Sequence, residues 1–452
     1  MIDGWLPDLT RTGTAKYTAI ADALGMAIDS GQLVGGDRLP PQRELATRLG
    51  VDLTTITRAY ATARQRGLIE ARGRAGSFVR GASSAAIEDI ARVDTGMNMP
   101  PELPGDMLGR AMRETIATLL TDGSGLRLQY QPAGGGTADR AAGARLIARA
   151  GLVASHDQVV VTAGAQNALH AILNSALRPG DAIACGGFVY SGFKALAARL
   201  GLKLIPLSVI DGDALATACR AERIRALYVV PTNDNPTATT LDRTARHSIA
   251  EQARAHDVMV IEDDVYGALC AAPPAPIATL APERTWYIAS VSKTISPALR
   301  VAYVHAPDIG SALRLAADVH ETAIMAPPLN AALVRTWLDD GRYDQLVEAM
   351  RKEAARRQAV ATDILQGLSY QAQAEGYHLW LRLPDGLDGA ELADAMRPSG
   401  LSVVAGDRFR VAPGAEQAVR VSLGGLIDRT RLARALHLMR GHIDTRQRRP
   451  LI

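Results

Sequence analysis

The chain of 452 residues is long enough for about three domains, and its shares of apolar (47%) and charged (21%) residues are those of a globular protein. No run approaches the roughly 18 apolar residues of a membrane span, and the N-terminus lacks the pattern of a secretory signal, so we expect a cytoplasmic protein. Three dispersed cysteines exclude a disulfide framework and a CxxC-type metal site, and we expect no bound metal.

The net charge of +3 is concentrated at the start of the chain. Residues 1–80 contain eleven Lys and Arg against eight Asp and Glu, and residues 41–80 alone carry eight arginines against three acids. The whole chain has only five lysines beside forty-five arginines. A lysine in a motif is therefore informative, because only lysine can lose its proton and act as a nucleophile.

The first eighty residues predict three helices followed by a hairpin. Apolar residues at helical spacing indicate a helix over 16–30, and a second helix over 42–49 begins after two prolines. A third helix begins near Asp52, a plausible N-cap. Two short strands follow, joined by a Gly-containing loop that carries Arg72 and Arg74. This order predicts a winged helix-turn-helix, which places its recognition helix in the major groove of DNA.

The segment LPPQRELATRLGVDLTTITRAYATARQRGLIEARGRAGSFV resembles the winged head of GntR-type regulators. The resemblance implies that residues 1–80 bind double-stranded DNA, with phosphate contacts supplying salt-dependent affinity and base contacts the sequence choice. An arginine often stands in that family where this chain has Leu53, so the base contacts can differ. A small helical subdomain with a solvated arginine face is the alternative. The residues expected at DNA are Arg43, Thr54, Thr55, Arg58, Arg72 and Arg74.

Residues 81–105 are rich in Gly, Ser, Ala, Pro and acids, which is typical of a linker that becomes ordered as it enters the next domain. From residue 106 to 452, short apolar runs such as QVVVTAG, DAIACGG and VMVIEDD alternate with amphipathic helical stretches. That alternation predicts an α/β fold with a mainly parallel sheet and helices on both faces. Ligands of such sheets gather at the carboxyl ends of the strands, so polar residues there are candidates for a site.

The body resembles fold-type I enzymes that depend on pyridoxal phosphate, the aminotransferase fold. This resemblance implies a large part over about 106–330 and a small C-terminal α+β part over about 331–452. A GntR-type head before such a body resembles the MocR/PdxR regulators, in which the aminotransferase-like domain senses an effector. The MIDG start and the SVSK segment resemble a subgroup that controls a pyridoxal kinase gene.

The segment SVSKTISPALR is close to the SKTxxPxLR run of that family. The resemblance implies that Lys293 forms a Schiff base with the cofactor aldehyde, which needs a primary amine that can be deprotonated. Asp263 would keep the pyridine nitrogen protonated, with Asp264 as a near competitor. Tyr266 and Asn235 would hydrogen-bond the phenolic oxygen of the cofactor.

The remaining site residues follow from the same resemblance. Tyr190 would stack on the pyridine ring, Tyr130 would reach the phosphate of a neighbouring subunit in a homodimer, and Arg420 would pair with a substrate carboxylate. The bland alternatives are a core tyrosine at Tyr190 and a surface arginine at Arg420. The cofactor phosphate would be held by Gly164, Ala165, Gln166, Ser290 and Arg300, the first three at a helix N-terminus.

We therefore expect a homodimeric regulator that responds to pyridoxal phosphate, an amino compound or both, with vitamin B6 genes as targets. The alternatives are an active aminotransferase with an accessory DNA-binding head and an architectural DNA binder with an inactive body. Three departures from the aminotransferase pattern bear on this choice and affect the shape of the pocket: Ala238 in NPTA where NPTG is usual, Cys185 to Phe188 before the stacking tyrosine, and Asp139 where an apolar residue is common.

Overall fold

A computed structural model describes residues 6, 15–29, 32–33, 37–71, 76–79, 96–121, 128–414 and 416–447. The chain divides into two compact units, Met1–Val93 and Asp94–Ile452, here called the head and the body. Within the described residues, no helix is both long and apolar enough to cross a membrane.

The described residues of the head form three helices and one antiparallel strand pair, as the sequence predicts. The turn between the second and third helices uses Gly50 at a φ of 60°, a left-handed conformation that favours glycine. Ile20, Leu24, Leu45 and Ile56 are buried together in its core. The elements are α1 (Lys16–Asp29), α2 (Gln42–Leu49), α3 (Leu53–Gln65), β1 (Ile69–Ala71) and β2 (Ser77–Val79).

The body is built around a seven-stranded sheet with the order β3-β9-β8-β7-β6-β4-β5. Strand β9 runs antiparallel to both of its neighbours, and the other strand pairs are parallel. The mainly parallel sheet expected from the sequence is therefore present. Its strands are β3 (Val159–Thr162), β4 (Ala182–Gly186), β5 (Lys203–Leu207), β6 (Ile224–Val229), β7 (Met259–Asp263), β8 (Thr285–Ser290) and β9 (Ala302–His305).

Helices pack on this sheet and bury its apolar strands in the main core. The first of them, α4, begins two residues after the expected linker. The helices of this part of the body are α4 (Met107–Thr121), α5 (Thr137–Ala148), α6 (Ala165–Ala176), α7 (Ser191–Arg199), α8 (Gly212–Ala221), α9 (Arg243–Ala255), α10 (Ile277–Leu280), α11 (Ile309–Ala323), α12 (Pro328–Asp340) and α13 (Arg342–Ile364).

A second, four-stranded antiparallel sheet with the order β10-β11-β13-β12 follows, and it has a core of its own. This is the small α+β part that the resemblance to the aminotransferase fold implies. Its elements are β10 (Tyr370–Ala372), β11 (His378–Arg382), α14 (Gly389–Met396), β12 (Ser402–Ala405), β13 (Ala418–Ser422) and α15 (Arg429–Gln447).

The end of the expected linker packs on the body. Residues 96–101 lie against the second sheet: Pro101 forms a bridge with Gly425, whose N–H donates to the carbonyl of Pro100 at 3.1 Å. A Cβ on Gly424 would lie 1.9 Å from the carbonyl oxygen of Met99, so only glycine permits this approach. The segment 96–101 is therefore part of the body, while residues 80–95 lie outside the described residues.

Candidate functional site

Lys293 follows β8 and lies half-buried at the carboxyl end of the sheet. Its Nζ donates a hydrogen bond to the carbonyl oxygen of Asn98 at 2.6 Å. Burial lowers the pKa of Lys293 to about 8, and the positive charges of Arg420 and Arg300 act in the same direction against Asp263. The amine is thus prepared to lose its proton near neutral pH, as a nucleophilic lysine requires.

Three consecutive acids at the end of β7 have different partners. Glu262 accepts the N–H groups of Ile277 and Ala278, each at 2.8 Å, and so caps the start of α10. Asp264 accepts the hydroxyl of Tyr287 at 2.8 Å and borders a separate cavity of about 170 Å³. Glu262 and Asp264 thus accept hydrogen bonds from neighbouring groups of the protein. Only Asp263 shares the surroundings of Lys293, whose charge acts on it.

Asp263 is buried and only half satisfied. Its Oδ2 accepts the hydroxyl of Tyr228 at 3.0 Å, whereas Oδ1 has no hydrogen-bond partner. Burial raises the pKa of Asp263 to about 7, against the lowering effect of the Tyr228 hydrogen bond. A buried carboxylate oxygen without a partner invites a donor, and a protonated pyridine nitrogen would be one.

Asn98, which no sequence motif marks, contacts several residues of this site. Its side-chain amide is almost fully buried, at 1% exposure. The Nδ2 group donates to the hydroxyl of Tyr266 at 3.0 Å and lies 3.1 Å from Nδ1 of His378, while Oδ1 accepts the hydroxyl of Ser422 at 3.0 Å. Together with the bond from Lys293, every polar group of the Asn98 side chain and its carbonyl has a partner.

The structure also brings Arg420, Asn235 and Tyr266 to this place. Arg420 lies on β13, 2% exposed, and its Nη1 donates to Oδ1 of Asn235 at 3.0 Å while Nη2 donates to the carbonyl of Gly96 at 2.6 Å. Arg420 is therefore not a surface arginine. Because Tyr266 accepts from Asn98, its own O–H remains available to donate toward a ligand.

The expected phosphate end lies where β3 meets α6. Gly164 has a φ of 88° and precedes the helix, and Ala165 and Gln166 are its first two residues. The Nη2 of Arg300 donates to the carbonyl of Ala163 at 3.0 Å, and a Cβ on Gly164 would lie 2.7 Å from this same nitrogen. Glycine thus lets the guanidinium approach a helix N-terminus, an arrangement suited to a phosphate dianion. The Oε1 of Gln166 is buried without a partner.

The remaining expected cofactor residues are placed less directly. Ser290 ends β8, where its Oγ accepts the N–H of Ser292 at 3.2 Å and it borders the same 170 Å³ cavity as Asp264. The neighbouring Ser292 hydroxyl is buried without a partner. Tyr190 precedes α7, and a Cβ on Gly192 would lie 2.4 Å from its ring. Tyr130 is 81% exposed, so its side chain is free to reach a second copy of the chain.

These features together fit pyridoxal phosphate. Two observations support this fit. The Oδ1 of Asp263 is buried without a hydrogen-bond partner, and a Cβ on Gly164 would fill the space beside Arg300. Of the sequence-predicted residues, Lys293, Asp263, Tyr266, Asn235 and Arg420 share hydrogen bonds or charge interactions, either directly or through Asn98.

Two departures noted in the sequence have structural explanations. Asp139 is buried in an ion pair with Arg335, whose Nη1 lies 2.6 Å from its Oδ1. Ala238 adopts a φ of 56°, a left-handed conformation in which glycine is usual, and its carbonyl accepts from Gln373 at 3.0 Å.

In the head, Arg43, Thr54 and Arg58 are exposed on α2 and α3, and Thr55 is half-buried. The guanidinium of Arg58 lies 4.7 Å from the ring centre of Tyr17. Thr57 fixes the two helices to each other by donating to Oε1 of Gln42 at 2.9 Å. The expected wing residues Arg72 and Arg74 lie outside the described residues.

Residues 98–437 match the family described as aminotransferase class I and II, over more than half of the chain. The chain belongs to this family. Residues 16–79 match the bacterial regulatory proteins of the gntR family. A gntR head before an aminotransferase body is the MocR-type architecture, and this expectation is confirmed.

The MocR-type chain is similar to regulators over nearly its full length. It is 29% identical over 453 residues, and 97% of each chain, to the uncharacterized HTH-type transcriptional regulator YdeF of Bacillus subtilis. It is 28% identical to the vitamin B6 salvage pathway transcriptional repressor PtsJ of Salmonella typhimurium, covering 90% of this chain and 94% of PtsJ.

Among solved structures, one similar chain is LysN of Thermus thermophilus, an α-aminoadipate aminotransferase complexed with N-(5'-phosphopyridoxyl)-L-leucine. The TM-score is 0.70 at 25% identity, over 81% of this chain and 96% of LysN. The aminotransferase fold expected for the body is thereby confirmed.

Proposed function

We propose that this protein is a homodimeric transcriptional regulator that binds operator DNA through its head and pyridoxal phosphate through its body. The proposal depends on Lys293, whose pKa is lowered to about 8 in the surroundings of Asp263 with its unpartnered oxygen, in a chain that also carries a gntR head. The effector is pyridoxal phosphate, with or without an amino compound. The similarity to PtsJ supports vitamin B6 genes as targets.

Bound pyridoxal phosphate would supply an aldehyde that a neutral amine can bond covalently and a pyridine ring that draws electrons. Lys293 would provide that amine, and Asp263 would hold a proton at the ring nitrogen. Tyr266 and Asn235 would donate to the phenolic oxygen, and the phosphate would be held by Gly164, Ala165, Gln166 and Arg300. The buried hydroxyl of Ser292 joins Ser290 as a candidate donor there.

The segment 96–101 supports a link between this site and the preceding part of the chain. The nitrogen of Lys293 that would bond the aldehyde is the same nitrogen that donates to Asn98. Arg420 likewise donates to Gly96 in the same segment. Pyridoxal phosphate would therefore compete with the bond from Lys293 to Asn98, and the carboxylate of an amino compound with the bond from Arg420 to Gly96. A ligand can shift a conformational equilibrium only through such differential contacts.

An active aminotransferase is the second candidate, and the buried position of Arg420 favours it, since a substrate carboxylate would need this cation. However, Arg420 already donates to Asn235 and Gly96. A substrate carboxylate would have to displace the bond to Gly96. Steady exchange of amino groups between an amino acid and a 2-oxo acid at enzymatic rates would establish this alternative.

The proposal is tested by binding the full-length protein to a library of genomic DNA fragments, with and without pyridoxal phosphate, at one stated salt concentration. We expect enrichment of a small set of two-fold symmetric sites, and a change in that enrichment when the cofactor is present. Equal recovery of all fragments under both conditions would contradict the proposal.

A further inference from the structure

A second cavity, of about 470 Å³, lies at the carboxyl ends of β4, β5 and β6 and is closed on one side by β11. None of the residues expected to hold pyridoxal phosphate lines it. Its volume is within the range of pockets that bind small molecules, about 300–1,000 Å³. The cavity is thus large enough for a ligand of its own.

The interior walls of this cavity are mainly apolar and aromatic. Phe188 and Trp380 meet edge to face, with ring centres 4.9 Å apart, and Val189 and Tyr228 are buried beside them. Polar side chains such as Arg382 and Glu416 are exposed and line the cavity as an ion pair at 3.4 Å. Such a wall favours an apolar body and excludes a ligand that is polar throughout.

Besides Glu416, which is paired with Arg382, a second carboxylate, that of Asp234, lines the cavity. Its Oδ2 accepts the hydroxyl and the N–H of Thr237, at 2.6 and 3.2 Å. In the described part of the chain, no cation forms a salt bridge with Asp234: Arg382 is paired with Glu416, and Arg410, which lies over Phe188, is paired with Asp407. Burial raises the pKa of Asp234 to about 6, with no cation among the causes.

A carboxylate in apolar surroundings is normally matched by a positive charge, and this cavity leaves the place of that charge to a ligand. We propose that the cavity binds an organic ammonium ion with an aromatic or branched apolar body, its nitrogen at Asp234 and its body against Phe188 and Trp380. The aromatic walls add a favourable interaction with the same cation.

This cavity is connected to the expected cofactor site through Tyr228. Tyr228 borders the cavity, and its hydroxyl donates to Oδ2 of Asp263 at 3.0 Å. An ammonium ion here would therefore act on the carboxylate that faces the pyridine ring. The effect on Asp263 rests on the proposed function, because it would give the regulator a second effector. The binding of the ammonium ion does not rest on that function.

The direct test is calorimetric titration of the full-length Lys293→Ala protein, free of pyridoxal phosphate, with 2-phenylethylamine and with its neutral counterpart 2-phenylethanol. Without Lys293 and aldehyde, no covalent chemistry interferes. We expect the amine to bind at least tenfold more tightly than the alcohol. We expect the added substitution Asp234→Asn to remove this preference and the added substitution Asp213→Asn, at an exposed acid of α8, to retain it.

A second pair of substitutions guards against misfolding. Val209 is 60% exposed at the edge of the cavity, so Val209→Trp fills the space without disturbing the core, whereas Val153, 93% exposed, does not line it. We expect Val209→Trp to abolish binding and Val153→Trp to leave it unchanged. Equal affinity for amine and alcohol, or amine binding that survives Asp234→Asn and is lost in Asp263→Asn, would overturn the proposal. The titrations of both sets of variants are done without DNA, so their result is independent of the proposed regulatory role.

Discussion

Lys293 is distinguished from an ordinary lysine by its pKa of about 8, which burial lowers from the usual 10.5. At pH 7 about one Lys293 amine in ten is neutral, whereas an exposed lysine is neutral about once in several thousand molecules. Since only the neutral amine attacks an aldehyde, this lowered pKa would favour Lys293 over the four other lysines in the proposed capture of pyridoxal phosphate.

The rate of covalent capture should therefore rise about tenfold per pH unit from pH 6 and level off above about pH 8. Stopped-flow absorbance measures this rate, and borohydride trapping with peptide mass analysis identifies the modified lysine. Lys203→Ala, which removes an exposed lysine paired with Glu222, serves as the control and should leave the profile unchanged. A rate that continues to rise to pH 10, or labelling at other lysines, would contradict this account.

Asp263 and Asp264 could not be fully distinguished by sequence, because both end the same apolar run. Each has a buried Oδ1 without a partner, and the structure separates them because the charge of Lys293 acts on Asp263, whereas Asp264 borders a separate cavity. Asp263→Asn should weaken pyridoxal phosphate binding at least tenfold, about 1.4 kcal/mol, because a neutral amide cannot hold the ring nitrogen protonated. Asp264→Asn should have a smaller effect. Equilibrium dialysis measures both, and equal losses would refute the assignment.

The backbone conformation of Ala238 is strained, and glycine at this position would not be. Its left-handed φ of 56° opposes the preference of residues with a Cβ by about 1 kcal/mol. Ala238→Gly should therefore leave stability unchanged or raise it by up to about 1 kcal/mol. Ala117→Gly, in the exposed middle of α4, should lower it by about 0.5–1 kcal/mol. Urea unfolding followed by circular dichroism measures both changes, and a clear loss of stability in Ala238→Gly would contradict the strain argument.

At the scale of elements, the strand ends QVVVTAG, VMVIEDD and WYIASVS were predictable because apolar runs followed by polar residues mark a parallel sheet. Strand β9, VAYVH, was not singled out, since it follows the lysine segment directly with no helix between them. Tyr228 was missed because a tyrosine inside an apolar strand resembles core. Asn98 was missed because the linker composition of its surroundings does not reveal that the chain returns to the site.

Asn98 connects the segment 96–101 to four side chains of the body. Asn98→Ala keeps the carbonyl that Lys293 uses but leaves Tyr266, His378 and Ser422 without their amide partner, at a cost of about 1–3 kcal/mol. We expect faster hydrogen exchange at the amide of Gly425, which bonds to Pro100, with exchange in the seven-stranded sheet unchanged.

Asn174→Ala is the matched control, because it removes an amide bond to Asp318 far in sequence from the segment. It should leave exchange at Gly425 at the wild-type rate. Unchanged exchange at Gly425 in Asn98→Ala would show that other contacts hold the segment.

At the scale of the whole molecule, the two-part organisation was readable from the charge in the first eighty residues and from the strand-helix alternation beyond residue 106. The body nevertheless begins earlier, because segment 96–101 packs on it. The homodimer and the part of the wing with Arg72 and Arg74 stay predictions. Their chemistry depends on a second chain or on DNA, and the sequence of one chain specifies neither contact directly.

The coupling of site and head is the central claim, and it depends on one nitrogen, that of Lys293. The most direct measurement is the affinity of full-length protein for an enriched operator fragment, at fixed salt, for wild type and Lys293→Ala, each with and without pyridoxal phosphate. The account predicts at least a fivefold change on adding the cofactor to wild type and none in Lys293→Ala. Identical affinity under all four conditions would contradict it.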